Sequence, residues 1–583
     1  MICRDGVVVD GCRDAEPART RRPGARLRAL PLEELRRTQR PVRWALILGA
    51  IVAIMLVLAC LPGRAGIAPL IESDYCYLLI AADRMYEGLG LTAPLPVAPF
   101  QPWTWQTDWG FLTQWPIGYP FLICVVRWLS GLTTIQACQW ISVAACAAAL
   151  VGWFVWVKRN VPGGVTGTLL AAVAAGCSVS TASLINPSTD LLLVAVLPFV
   201  LLLTAQAIEH LTDDMPGAGK RRGTVWLALA GLMAGGLFWI RYASVFVPLA
   251  VGLFLLVHLR RRRKLCLRST TLFALFAAAP IAVLLLINDA FGMDASVQAQ
   301  LNLGHATRFD LSPRLFGRAW WNFTDLGFYN HHRFTHWIYA LWPLGVCVVA
   351  LIVRPARRAV RSFFASPDVA LSALVVIALL VMIVGATAAF SDKYNYVGLD
   401  RYYTLGKPFY FLLFTAPIIL IRRRIVRAFA CVAFLVACSW LIQQEWSGPY
   451  KKWLAANREV TPYGQWAGCF TPNAADLYRW LGKEDAPNLV VVSNFHEYIA
   501  LETGIPALPI PKDAPTLNTW VKDICRARGI TDPQVLFVLD PDNRWRDYWI
   551  PDPTEIIQTF GLENRIKAVP VLSTPIYEYA TAS

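Results

Sequence analysis

Charge is what this sequence has least of. Asp, Glu, Lys and Arg together supply 16% of the chain, against about 25% in an ordinary soluble protein. Hydrophobic residues make up 56% of its 583 positions. A soluble core cannot hide that much apolar surface, so most of it must face lipid or pack between spanning helices. Other absences narrow the class further. There is no Cys-x-x-Cys zinc pattern among the 14 cysteines. Most of them (Cys60, Cys146, Cys177, Cys347 and Cys431 among them) sit inside apolar runs, where a thiol behaves as a small hydrophobe. No solenoid-type repeat is visible. The N-terminal region lacks the layout of a cleavable signal, so the first apolar run reads as an uncleaved anchor. The net charge of +15 is not spread over one basic face. Its cations stand in short clusters between apolar runs, which removes the nucleic-acid reading and suits loops held on the cytoplasmic side. The 23 Trp fit as well, because indole rings favour the membrane–water boundary.

Crossing the hydrocarbon core takes about 20 apolar residues. Eleven runs meet that need: 44–62, 135–157, 163–185, 190–208, 224–240, 242–258, 270–288, 337–353, 368–390, 404–421 and 426–443. A twelfth, 117–130, is too short and carries Arg127, so it reads as a helix in the outer leaflet. With the N-terminus inside, the internal loops hold 19 cations in about 50 residues, from Lys158 and Arg159 to Arg427, and the outer loops 10 in about 140. The positive-inside rule therefore sets the sidedness. Counting 117–130 as a full span would put Lys158 and Arg159 outside, against that rule.

Residues 1–43, with eleven Arg and no long apolar run, read as a disordered basic cytoplasmic tail; a misassigned start codon is the dull alternative for part of it. The membrane region is 44–443, with outer loops at 63–134 and 289–336. Residues 444–583 have ordinary soluble composition and read as a small exported α/β domain. Strands are expected at Leu489–Val492 and Val535–Leu539, and a helix over Ala474–Leu481. Cys469 and Cys525 are its only thiols, and a bridge between them stays open.

The first outer loop opens on Glu72-Ser73-Asp74-Tyr75-Cys76-Tyr77 and runs to Glu87-Gly88-Leu89-Gly90. Ser73 is a candidate helix cap and Gly88 a candidate stop. Tyr77, Ile80, Ala81 and Arg84 then share one face, with Asp74 a turn before Tyr77. Such a helix would lie along the membrane surface and hold a carboxylate at headgroup depth. One carboxylate there can act as a general base on an acceptor hydroxyl. The bland reading is that Asp74 and Glu72 meet the positive end of the helix.

The Asp74–Ala81 stretch with Glu87-Gly88-Leu89-Gly90 resembles the first outer loop of the GT-C glycosyltransferases. These polyprenyl-phosphate-sugar-dependent enzymes include the protein O-mannosyltransferases and the lipid A aminoarabinose transferase. Trp115-Pro116-Ile117-Gly118-Tyr119-Pro120 resembles the family's Pro-x-Gly-Tyr-Pro element, and Arg241-Tyr242 its Arg-Tyr turn. Arg401-Tyr402-Tyr403 with Lys407-Pro408 is similar to its late-span motif, and Val490–Asn494 through Leu501–Pro506 to its strand–helix–Thr-Gly pattern. The resemblance implies that Asp74 is the catalytic carboxylate, with Glu72 second. It departs at Trp115, where some members carry a Lys. The Trp-Trp-Asp signature of oligosaccharyltransferases is absent, since Trp320-Trp321 is followed by Asn322.

A leaving polyprenyl phosphate needs positive charge, and the Arg fork binds two phosphate oxygens. Arg401, Arg241 and Arg84 fall near the outer boundary; the alternative is that they snorkel to headgroups. His305, His331, His332 and His336 crowd the second outer loop. With no His-Glu-x-x-His motif and no nearby Cys, acceptor or phosphate contact by His331 and His332, or a plain interfacial loop, outranks a metal site. Trp103, Trp105, Trp109 and Trp115 read as an interfacial belt, with a ring or two left for substrate.

The expectation is an α-helical polytopic membrane protein, GT-C-like, with about eleven transmembrane helices and a C-terminal exported α/β domain. It would sit in the plasma (inner) membrane. There it would move one hexosyl or pentosyl group, with inversion, from a polyprenyl-phosphate donor to a hydroxyl on a protein, lipid or glycan. Asp74 would be the base, and Arg401, Arg241, Arg84, Tyr77, His331 and His332 would bind substrate. No cofactor is required by the sequence; some relatives use a divalent cation, and the sequence does not show whether this chain does. Rival classes are a transporter, whose mark would be ionisable residues at mid-span, and a non-catalytic scaffold of the same fold.

Overall fold

The computed structural model describes residues 73–93, 110–113, 115–160, 165–176, 188–212, 218–291, 365–389, 474–483, 488–505, 507–511, 513–539, 553–567 and 576–579, with scattered positions in 341–363 and 405–436. The tail 1–43, the span at 44–62, most of the last outer loop and spans, and Glu72, Arg401, His305, His331, His332, His336 and Cys469 lie outside the described residues. Cys525 carries a free thiol.

The helical part begins with α1 (Ser73–Tyr86), a two-residue pairing of β1 (Thr92–Ala93) with β2 (Gly110–Phe111), and α2 (Gly118–Ser130). Then come α3 (Thr134–Asn160), α4 (Val165–Gly176), α5 (Thr189–Thr212), α6 (Ala218–Gly236), α7 (Phe246–Leu259), α8 (Arg263–Phe291) and α9 (Pro367–Ala389). Five helical stretches among the described residues are long and apolar enough to cross a membrane: Thr134–Asn160, Thr189–Thr212, Tyr242–Leu259, Arg263–Phe291 and Pro367–Gly385. Each coincides with an expected span. The chain is a multi-pass membrane protein. Helix α2, with 13 residues, is about 20 Å long at 1.5 Å per residue and stops short of a core about 30 Å thick. It buries Tyr119, Pro120, Ile123 and Cys124 and exposes Phe121, Trp128 and Leu129.

Two contacts explain how the spans lock. At the α6–α8 crossing, a Cβ on Gly235 would stand 2.0 Å from the Ala277 carbonyl oxygen, and one on Gly231 2.7 Å from that of Phe273. The helices therefore meet backbone to backbone, as small residues permit inside a membrane. Gly235→Leu forces them apart and costs about 1–3 kcal/mol or more. Gly236 has nothing within 4 Å of its Cβ position, so Gly236→Ala is the matched control. Thermal denaturation of the detergent-solubilised variants should show a lowered midpoint for the first and no loss for the second.

At the opposite helix ends, Arg159 of α3 bonds Asp368 of α9 and Glu209 of α5, each at 2.5 Å. Trp156 donates to Ser372 Oγ at 3.1 Å beside them. Arg159, counted in the sequence only as a loop cation, ties three helices together.

The C-terminal region comprises α10 (Ala474–Lys483), β3 (Leu489–Ser493), α11 (His496–Thr503), β4 (Ala507–Leu508), α12 (Ala514–Arg528), β5 (Gln534–Val538), α13 (Pro553–Phe560), β6 (Ile566–Lys567) and β7 (Ile576–Tyr579). Its sheet runs β4-β3-β5-β7-β6, parallel over the first three strands and antiparallel beyond. All five residues of β3 are buried, as in strands covered on both faces. Alternation divides them. Val490, Val492, Val535 and Phe537 join a core with Leu517, Val521 and Ile556. Leu489, Val491, Leu536 and Val538 face the other way, into a core continuous with the helical part. That second face brings the sheet to α1.

Candidate functional site

Helix α1 begins at Ser73 and ends before two glycines held in the left-handed region, Gly88 and Gly90, both at φ 82°. The chain turns there through Leu89 N–H to Arg84 O at 2.8 Å. Protein encloses this helix on all sides. Every residue from Tyr75 to Ala82 is buried, and only a helix enclosed on all sides buries consecutive positions in this way. Helices α2, α3 and α11 and strand β1 pack against it. Asp74, in its first turn, is half-buried.

Two hydrogen-bonded chains leave the residues beside Asp74. Tyr75 reaches the start of α5: its hydroxyl accepts from Thr189 N–H at 3.3 Å and lies 3.5 Å from Thr189 Oγ1. That Oγ1 also accepts from Arg241 at 3.0 Å, and Arg241 pairs with Asp190 at 2.6 Å. Arg241 is extended (φ −152°, ψ 129°) between the short 3-10 turns Leu237–Trp239 and Tyr242–Val245. This break between α6 and α7 swings its guanidinium onto α5. Next to it, Tyr242 donates to Thr113 O at 2.8 Å and accepts from Asn288 at 2.9 Å.

The second chain starts at Tyr77. Its ring stacks on Trp115 at 4.9 Å and 16°, and its hydroxyl meets Nε2 of His496 at 2.7 Å. Nδ1 of His496 lies 3.1 Å from the Glu497 carboxylate. Burial raises the Tyr77 phenol well above its ordinary pKa, with Glu497, Cys76 and Asp74 adding to it. Burial lowers His496, opposed by Glu497 and by a backbone hydrogen bond at Ser493. A neutral phenol therefore donates to a neutral imidazole, whose partners assign the proton to Nδ1 facing Glu497.

The described cations of the loop, Arg84 and Arg127, point elsewhere. Arg84 donates from Nε to Thr92 Oγ1 at 2.7 Å. It is ten residues along α1 from Asp74, about 15 Å at helical rise. Arg127 pairs with Asp83 at 2.5 Å and lies over the Tyr86 ring at 3.7 Å; Thr134 also donates to Asp83. Of the residues expected at the site, Asp74, Tyr77 and Arg241 come together around the start of α1, and Arg84 does not. Asp190, His496 and Glu497 were not expected there. Asp190 is the first residue of the expected span 190–208. His496 follows the noted Val-Val-Val-Ser-Asn stretch but is 419 positions from Tyr77. Among the described residues, no group of three or more His, Cys, Asp and Glu is placed to hold a metal.

No protein-family model matches the chain, and no curated protein matches it. Solved structures do. ArnT from Cupriavidus metallidurans bound to undecaprenyl phosphate superposes with a TM-score of 0.52 at 11% identity, over 91% of this chain and 97% of that one. Its apo state gives 0.52 at 12%, over 91% and 98%. ArnT is the aminoarabinose transferase of the group that the first outer loop resembles. The fold is that of these ArnT structures. At this identity the likeness speaks for the fold and leaves the chemistry to the chain's own residues. The archaeal oligosaccharyltransferase AglB from Archaeoglobus fulgidus overlaps more loosely, with a TM-score of 0.45 at 12% identity over 92% of this chain and 74% of its own. In this fold, the start of α1 gathers a half-buried carboxylate, an Arg–Asp pair and a Tyr–His–Glu chain.

Proposed function

We propose that this chain transfers one sugar from a polyprenyl-phosphate donor to an acceptor hydroxyl at the outer face of the plasma (inner) membrane. The observation that carries the reading is Asp74, a carboxylate on the first turn of an enclosed helix, within a GT-C fold. Asp74 takes the proton of the acceptor hydroxyl as its oxygen attacks the anomeric carbon. The bond from that carbon to the phosphate oxygen breaks, its electron pair leaves with the phosphate, and the anomeric centre inverts. Arg241 and Arg401 are the cations proposed to meet the charge on the leaving phosphate. His331 and His332 are proposed acceptor contacts. The undecaprenyl phosphate on ArnT makes a polyprenyl phosphate the natural lipid to try. Cation clusters between the spans support an inside N-terminus and an outside C-terminal region. Transfer with and without a chelator tests whether a divalent cation takes part.

The paired charges support an enzyme over a transporter, because Arg159–Asp368–Glu209 and Arg241–Asp190 sit at helix ends rather than at mid-span. Purified protein given labelled polyprenyl-phosphate sugars should release the lipid phosphate and label an acceptor. Mass spectrometry of envelope glycans and glycolipids with and without the protein then identifies sugar and acceptor. A protein that consumes no lipid donor is a scaffold of the same fold, and the proposal is lost.

A further inference from the structure

We infer that the C-terminal α/β region is a working part of the transferase site, with His496 a positioning residue that holds the Asp74 helix through Tyr77. The inference rests on the proposed function. Tyr77 lies one turn after Asp74 on the same side of α1. Its phenol is clamped from two directions, by the Trp115 ring stacked 4.9 Å away and by His496 Nε2 at 2.7 Å. His496 in turn is oriented by Glu497 at 3.1 Å. Tyr77, His496 and Glu497 are all buried, at 3%, 9% and 8% exposure. Water therefore cannot replace a lost partner cheaply.

The sheet topology gives this contact its place. The chain leaves β3 for β4 on one side and then crosses to β5 on the other. The carboxyl end of β3 is thus a switch point, the end of an open α/β sheet where ligands ordinarily bind. Here the turn leaving that end, Ser493-Asn494-Phe495, delivers His496 onto α1. The end of the sheet that other proteins open to a ligand is closed on the helix carrying Asp74.

Tyr77→Phe keeps the ring and its stack on Trp115 and removes only the hydroxyl. It should lower kcat about tenfold, the worth of one buried hydrogen bond, while the donor KM stays within about twofold. His496→Ala should give the same split. The double variant should be no slower than either single, because both break one contact. His496→Gln, whose amide oxygen accepts from the phenol, should recover part of the rate. Should His496→Ala fail to fold, Tyr77→Phe still reads the contact. Wild-type kcat in Tyr77→Phe, or losses that multiply in the double variant, overturns the positioning role while leaving the transferase reading intact. Wild-type protein that transfers no sugar ends the transferase reading itself, and with it this role.

Discussion

Asp74→Asn leaves the protein folded and reduces transfer by about two to four orders of magnitude, the usual worth of a positioned general base. The amide has nearly the same shape, and the position is half-buried at a helix start. Losing the charge near the positive helix end costs the fold about 0.3–1 kcal/mol. The carboxamide cannot take a proton from an acceptor hydroxyl, so kcat falls and abundance does not. Transfer rates in membranes, set beside immunoblot levels and a thermal melt, separate the two. Glu72→Gln is the companion variant, since Glu72 is two residues upstream and was the second choice for the base. If Asp74→Asn works at the wild-type rate and Glu72→Gln does not, the base is Glu72.

Arg241→Ala should be the most destabilising single change around the site, by about 3–5 kcal/mol, because it strands the Asp190 carboxylate in a partly closed environment. The Arg241 and Asp190 side chains are 11% and 13% exposed and 2.6 Å apart. The same guanidinium bonds Thr189, which holds Tyr75, the neighbour of Asp74. Its loss should therefore loosen the start of α1 as well. Removing both charges with apolar side chains of similar size, Arg241→Met with Asp190→Leu, should recover much of the stability, since no unpaired charge then remains. The thermal melts of the two singles and the double test this. A fully stable Arg241→Ala that transfers no sugar would instead make Arg241 chiefly a phosphate ligand.

The spans were legible because a bilayer imposes a local condition: about 20 apolar residues in a row. Thr189–Thr212 and Arg263–Phe291 satisfy it within their own sequence. The same arithmetic identified 117–130 as too short, and α2 has only 13 residues. Strands β3 and β5 were visible as apolar runs between turn residues, and α1 as a helix stopped by Gly88. The enclosure of α1 was not visible. Spacing put Tyr77, Ile80, Ala81 and Arg84 on one face, but Cys76, Leu78, Leu79 and Ala82 are buried too, because α2, α3, β1 and α11, the last from more than 400 residues later, pack around α1. The partners of Arg159 and Arg241 were not visible either, because only the fold brings Asp368 and Glu209 to the first and Asp190 to the second.

The sequence by itself determined that this is a multi-pass membrane protein, where its five described spans lie, and that a carboxylate begins the helix ahead of them. Each of those depends on neighbours within about twenty residues, where hydropathy and turn chemistry act. Only the tertiary structure decided what surrounds that carboxylate. The Arg241–Asp190 pair, the Tyr75–Thr189 link and the Tyr77–His496–Glu497 chain join side chains 51, 114 and 419 positions apart. Nothing in either stretch of such a pair requires the other, and the contact exists because a polar group buried where elements meet must find a partner there.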